Sequence, residues 1–256
     1  MVWKAIAASE IGTAHQKRNQ PCQDYADFCL LDGDVLVGAV SDGAGSAMHS
    51  EQGSRLAVKA ILNYFQVVSE HRQENINHSP LSYKVLQKIF GDVLEKVKKD
   101  LQELADENNY YLEDLACTLL VFIATPLNTM AMQIGDGFLV VRTPDGPYKL
   151  LFEPDKGEYA NETTFVTSDS ALKEMRVTLI EEPISFICAS TDGLEKVAIK
   201  FSDYSPYDRF FNPLYAYLQE TTEPKQEEYL IPFLQLPDLN KRTDDDKTLL
   251  IASFEG

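Results

Sequence analysis

The spacing of apolar residues changes period along this chain, and each change marks an element. Residues 2–8 form an apolar run that predicts a strand. Two further strand-like runs, 25–31 and 35–41, are joined by Asp32-Gly33-Asp34, a hairpin signal. From about residue 49 to 65 the period becomes helical, with Leu56, Ala57, Ala60, Ile61, Tyr64 and Phe65 on one face. A polar tract over 70–79 precedes a second predicted helix, at about 81–106. Its apolar stripe is Leu86, Ile89, Phe90, Val93, Leu94, Val97 and Leu101. Strand-like runs return at 115–124, 129–134, 138–142, 148–152 and 184–190. Residues 204–235 read as partly helical with aromatic anchors, and 247–254 as a closing strand. Residues 153–182 are polar and mixed, and read as an irregular excursion. Consecutive strands on short turns imply antiparallel pairing, so the expected class is α+β in one domain over 1–256.

Charge narrows the functional classes. The 256 residues carry 40 Asp and Glu against 23 Lys and Arg, a net charge of -17. Such a surface is unsuited to a phosphate backbone or an anionic bilayer, so neither nucleic acid nor membrane is an expected partner. No stretch reaches the length of a membrane helix, and the first residues do not resemble a secretory leader. Cys22, Cys29, Cys117 and Cys188 match no zinc or disulfide spacing, which points to reduced thiols and a cytoplasmic location. None is followed by the Cys-X5-Arg loop of a cysteine nucleophile.

Five Asp-Gly pairs begin at Asp32, Asp42, Asp136, Asp145 and Asp192. Asp32 and Asp145 lie between strand-like runs and read as turns. Asp42 and Asp192 each emerge from a buried strand, a rigid mount suited to a metal ligand. Asp136 sits in a tight Gly-Asp-Gly corner, Asp244-Asp245-Asp246 precedes the last strand, and Gln23-Asp24 precedes another. Carboxylates, carbonyls and water suit magnesium or manganese, and none of the four histidines is paired at metal-ligand spacing.

In order, these segments resemble the metal-dependent protein phosphatases, the type 2C serine/threonine class, over nearly the whole chain. Asn19 to Asp24 resembles the family's first motif, and Asp42-Gly43-Ala44-Gly45 its Asp-Gly-X-Gly. Ala116-Cys117-Thr118 resembles the strand bearing a buried threonine, and Gly135-Asp136-Gly137 the Gly-Asp-Ser motif. Ser190-Thr191-Asp192-Gly193 is similar to Ser-Asp-Gly, and Asp245-Asp246-Lys247-Thr248 to Asp-Asn-X-Thr. The resemblance implies two packed antiparallel sheets flanked by helices, a four-layer α-β-β-α sandwich. It implies two Mn2+ or Mg2+ ions bridged by Asp42 and a water, with a third, weaker ion at Asp136 and Asp192. Asp192 and Asp245 would ligate one of the two bridged ions, the Gly43 carbonyl the other, and Asp24 would hold a metal-bound water. Residues 153–182 would form the flap that shapes substrate access.

The implied activity is hydrolysis of phosphoserine and phosphothreonine in proteins, by a monomer, with Asp24, Asp42, Asp192 and Asp245 as the catalytic carboxylates. The chain departs from the pattern at three places. The family's phosphate-binding Arg falls at Asn19, leaving His15, Lys17, Arg18 or Asn19 itself to contact phosphate. Gln23 replaces a Glu, and Ala44 replaces a His that serves as general acid; His49 nearby reads as a helix start. These departures keep open a pseudophosphatase binding module and a small-molecule phosphatase.

Overall fold

The computed structural model describes residues 2–31, 34–71, 82–153 and 163–255. The turn expected at Asp32-Gly33 lies outside them, as does most of the polar tract after the first long helix.

The chain opens with β1 (Val2–Glu10), a short helix α1 (Thr13–Arg18), β2 (Tyr25–Leu31) and β3 (Val35–Ser41). Two long helices follow, α2 (Ser50–His71) and α3 (Tyr83–Asn108), and then a 3-10 turn over Leu112–Leu115. Next come β4 (Leu119–Ala124), β5 (Thr129–Ile134), β6 (Phe138–Arg142) and β7 (Tyr148–Leu150). The later chain gives α4 (Ala171–Glu174), β8 (Arg176–Ile180) and β9 (Phe186–Ser190). It continues through α5 (Glu195–Ala198), a ribbon of β10 (Ile199–Lys200) and β11 (Ser205–Pro206), and α6 (Asp208–Glu220). It closes with α7 (Leu230–Leu234), α8 (Pro237–Asn240) and β12 (Lys247–Glu255).

The large strands form two five-stranded antiparallel sheets, ordered β1-β12-β9-β6-β7 and β2-β3-β4-β5-β8. Between them lies a core in which Leu36, Leu120 and Phe122 of one sheet meet Leu139, Ile187 and Leu250 of the other. Helices α2 and α3 cover the outer face of the β2–β8 sheet through Ile61, Phe65, Phe90 and Val97. Helices α5, α6 and α7 cover the other outer face through Val197, Phe211, Leu214 and Leu230. This is the expected α-β-β-α sandwich. Because both faces of each sheet are covered, β4 and β9 are buried at every position and read as continuous apolar runs, without alternation. Each large core side chain contributes roughly 1.5–3 kcal/mol by leaving water.

The helices start and stop for local reasons. Ser82 caps α3, its hydroxyl accepting the Val85 amide at 3.4 Å, and Asn109 ends it in the left-handed region at φ 57°. Two elements differ from expectation. Helix α1 occupies a stretch given no element, just before the motif at Asn19 to Asp24, and β8 lies inside the 153–182 tract read as irregular. The edge strand β8 pairs with β5 and turns Val177 onto the α3 side of the sheet. It was hidden because Arg176 and Thr178 interrupt a short run. Among the described residues no helix is long and apolar enough to cross a membrane.

Candidate metal centre

Strand ends from both sheets converge at one rim of the sandwich. Asp42 is the first residue after β3. Its amide donates to Thr118 Oγ1 at 2.9 Å, its carbonyl accepts the Thr118 amide at 2.8 Å, and Ser41 Oγ donates to the Thr118 carbonyl at 2.5 Å. Gly43 then bridges to Cys117, and its amide donates to the Gln23 carbonyl at 3.1 Å. Asp136 sits at the β5–β6 corner, and Asp192 follows β9 by one residue. Asp245 lies two residues before the buried start of β12 and is held by close backbone contact. A Cβ on Gly193 would lie 1.9 Å from the Asp246 carbonyl oxygen, and one on Gly12 would lie 2.2 Å from the Asp245 carbonyl carbon. Neither position has room for a side chain.

The carboxylates of Asp42, Asp136 and Asp192 offer oxygens that all lie within 4.8 Å of one another. They line an open cavity of about 210 Å³ together with Asp245, Gly43 and His15. Asp24 is buried behind them, accepting the Thr191 hydroxyl at 2.7 Å.

Burial and mutual repulsion set the electrostatics. Asp42 is pushed well above the usual carboxylate range by burial, then by the charges of Asp24 and Asp192. Asp24 is raised by burial and by Asp246, and Asp192 by burial, Asp136 and Asp245. Glu195, next to this group, is raised by burial and by Asp136. Carboxylates this close and this sheltered favour a bound cation over full ionisation without one. An all-oxygen donor set suits a hard divalent ion such as Mn2+ or Mg2+, so the residues present fit the metals the resemblance implies.

The remaining candidates divide. His15 is buried in α1 and lines the cavity; Arg18 and Asn19 are exposed and do not line it, Asn19 being the left-handed residue that ends α1. Lys17 is exposed as well. His49 lies at the start of α2, stacked on Tyr110 with ring centroids 3.7 Å apart, as its helix-start reading anticipates. Burial raises the thiols of Cys22, Cys117 and Cys188, which disfavours a thiolate role.

Two groups make contacts at the site that the sequence reading did not assign to them. Asp246 is buried and accepts the amides of Gly12 and Gln23, each at 2.6 Å. Thr163 Oγ1 donates to Asp136 Oδ2 at 2.7 Å and, with Phe165, lines the cavity. Thr163 and Phe165 belong to the 163–182 part of the expected flap, which is anchored where the Val166 amide donates to the Cys117 carbonyl at 2.8 Å.

Known proteins share these features. A family model described as Protein phosphatase 2C matches residues 11–235. Serine/threonine-protein phosphatase 3 of Escherichia coli (strain K12) is 34% identical over 262 residues, covering 98% of each protein. The serine/threonine phosphatase of S. agalactiae superposes with a TM-score of 0.66 at 15% identity, covering 99% of this chain and all of that one. The catalytic domain of the serine threonine protein phosphatase PstP, solved with 2 manganese ions, gives a TM-score of 0.60 at 14% identity, with 98% of each chain covered. At those identities the structural likeness is one of fold. The model match stops short of Asp245, yet the fold returns that residue to the same cavity. The match over most of the sequence and the full-length relative place this chain in the protein phosphatase 2C family.

Proposed function

We propose that the chain is a metal-dependent phosphomonoester hydrolase acting on phosphoserine and phosphothreonine in proteins. The observation that carries this reading is the meeting of Asp42, Asp136 and Asp192 within 4.8 Å, at a cavity that Asp245 also lines. The named activity of the 34% identical E. coli relative supports the substrate class.

In this reading Asp42, Asp192, Asp245 and the Gly43 carbonyl would hold two ions, and Asp136 with Asp192 would hold a third, weaker one. Such cations would supply positive charge to the phosphoryl oxygens and lower the pKa of a bound water. Asp24 fixes the orientation of that water's surroundings through its place behind Asp42 and its bond from Thr191. The open mouth admits a phosphorylated side chain, and the described 163–182 segment borders it as a flap. A monomer is part of this reading. Four free cysteines are consistent with the cytoplasm.

The test is hydrolysis of an aryl phosphate with Mn2+, with and without chelator, for wild type and Asp42→Ala. Manganese-dependent turnover that Asp42→Ala abolishes is expected. Equal rates in the two proteins would leave a binding module as the better reading. Phosphopeptides against small phosphomonoesters then fix the substrate class.

A further inference from the structure

The metal side of the cavity is crowded with carboxylates, yet a phosphate also needs donors on its other side. Among the described residues lining the cavity, His15 alone can carry positive charge. Lys17 and Arg18 are exposed and absent from its wall. The His15 side chain is only 10% exposed, and its Nδ1 lies 3.0 Å from Asp246 Oδ2, close enough for an ion pair but off the alignment of a hydrogen bond.

Asp246 holds more than the ring. Its Oδ1 accepts the Gly12 amide at the entrance to α1, and its Oδ2 accepts the Gln23 amide beyond the exit. One carboxylate therefore fixes both ends of the segment that carries His15 and the edge of the ring itself. Three donors converge on it, which a carboxylate can satisfy and the single oxygen of an amide cannot.

We propose that His15, positioned by Asp246, is the side chain that binds a phosphoryl oxygen of the substrate. The inference rests on the hydrolase reading above and assigns its phosphate-holding group. With Asp246 at Nδ1, Nε2 is the ring's other donor position. A phosphoryl oxygen placed at Nε2 would accept a hydrogen bond from the edge of the ring that faces away from Asp246. A purely structural histidine would be enclosed and fully bonded. His15 borders the cavity and leaves Nδ1 short of an aligned bond.

The experiment uses the full chain loaded with Mn2+, comparing wild type, His15→Ala, Asp246→Asn and the double variant. Inorganic phosphate is the probe, read both as an inhibitor of aryl phosphate hydrolysis and directly by calorimetry. Losing one charge-assisted hydrogen bond should weaken phosphate binding and raise KM about tenfold or more in His15→Ala, with a smaller change in kcat. Mn2+ affinity should stay within about twofold of wild type, since the ring touches no proposed ligand. Asp246→Asn should act in the same direction, and adding it to His15→Ala should weaken phosphate binding by less than the product of the single effects. Unchanged phosphate affinity in His15→Ala would overturn the inference, as would Mn2+ and phosphate affinity falling together. His15→Ala decides the matter even if Asp246→Asn fails to fold. Should wild type show no turnover, the hydrolase reading falls by itself, and calorimetric phosphate binding still judges His15.

Discussion

The two sides of the cavity are rigid for different reasons. On the carboxylate side, Asp42 and Asp192 leave strands that are hydrogen-bonded on both edges, β3 between β2 and β4 and β9 between β12 and β6. Each aspartate inherits its position from a sheet and from the core beneath. On the opposite side, His15 rides on a six-residue helix whose N-cap residue, Gly12, offers no side-chain cap. That segment is held instead by Asp246, which is 234 positions from Gly12 and 223 from Gln23. One side is fixed by the backbone bonds of two sheets, the other by one distant segment, through the Asp246 carboxylate and the Asp244 carbonyl that accepts the Ala14 amide at 2.8 Å. The carboxylate side should therefore tolerate changes around it, while the His15 side should depend on residues 244–246.

The sharpest test of the metal side is Asp42→Asn. It removes the carboxylate that the proposed function assigns to both ions and should cut manganese-dependent turnover by well over the roughly 10–100-fold that follows from losing a group that merely supports a ligand. The same change relieves repulsion with Asp24 and Asp192, so the metal-free protein should become more stable by about 1–2 kcal/mol in chemical denaturation. A variant both inactive and less stable without metal would break the claim that this cluster is strained by charge. The junction of the two sides is tested by Gly193→Ala. Its new Cβ would meet the Asp246 carbonyl oxygen at 1.9 Å and push on the loop that carries both Asp245 and Asp246. The expected cost is about 2–3 kcal/mol of stability, with Mn2+ and phosphate binding weakened together. Loss of only one would show that the two sides are not joined there.

The same contrast explains what the sequence disclosed. The strands over 25–31, 35–41, 129–134 and 138–142 have the bounds their apolar runs predict; for the last three, burial on both faces leaves a contiguous signal. Asp42, Asp136 and Asp192 could be picked out because each sits next to glycine at the end of such a run. Asp246 was visible only as a member of an acidic cluster and a motif; its role was not, since its partners Gly12 and Gln23 are distant in sequence and a carboxylate accepting two backbone amides leaves no local pattern. Arg18 looked as suitable a phosphate contact as His15, and only the helical turn of α1 separates them, burying His15 and exposing Arg18. Thr163 lay in a polar tract without period, where nothing distinguishes a hydroxyl aimed at Asp136 from one in solvent.

A smaller effect follows from the raised carboxylates. Asp24, Asp42 and Asp192 all titrate above the ordinary carboxylate range when folded. Between the unfolded value near 4 and the raised folded values, the folded state holds more protons than the unfolded one. Stability of the metal-free protein must then fall as pH rises through that window. Thermal melts in chelator should lose stability from pH 5 to pH 8 by roughly 1–2 kcal/mol more in wild type than in Asp42→Asn, which removes part of the cluster. Mn2+ should raise the wild-type melting temperature more at pH 8 than at pH 5, because cations bind the ionised form. Parallel slopes in the two proteins would assign the pH dependence to the general excess of acidic charge and not to this cluster.

The smallest expected effect probes the exposed edge of the metal side. Thr163 donates one neutral hydrogen bond to Asp136, and both groups stand near solvent, so the bond is worth under about 1 kcal/mol. Thr163→Val should leave the melting temperature of the metal-free protein unchanged and weaken the lowest-affinity Mn2+ site by about two- to fivefold. The carboxylate keeps its place at the β5–β6 corner and loses only the partner that orients one oxygen. If that is the whole effect, Thr163→Val should be silent in an Asp136→Asn background, where the weakest site is already compromised. An equal loss in both backgrounds would mean that Thr163 acts through the 163–182 segment as a whole. The rim of the metal side would then resemble the phosphate side, depending on a contact between segments distant in sequence more than on the strand that carries its ligand.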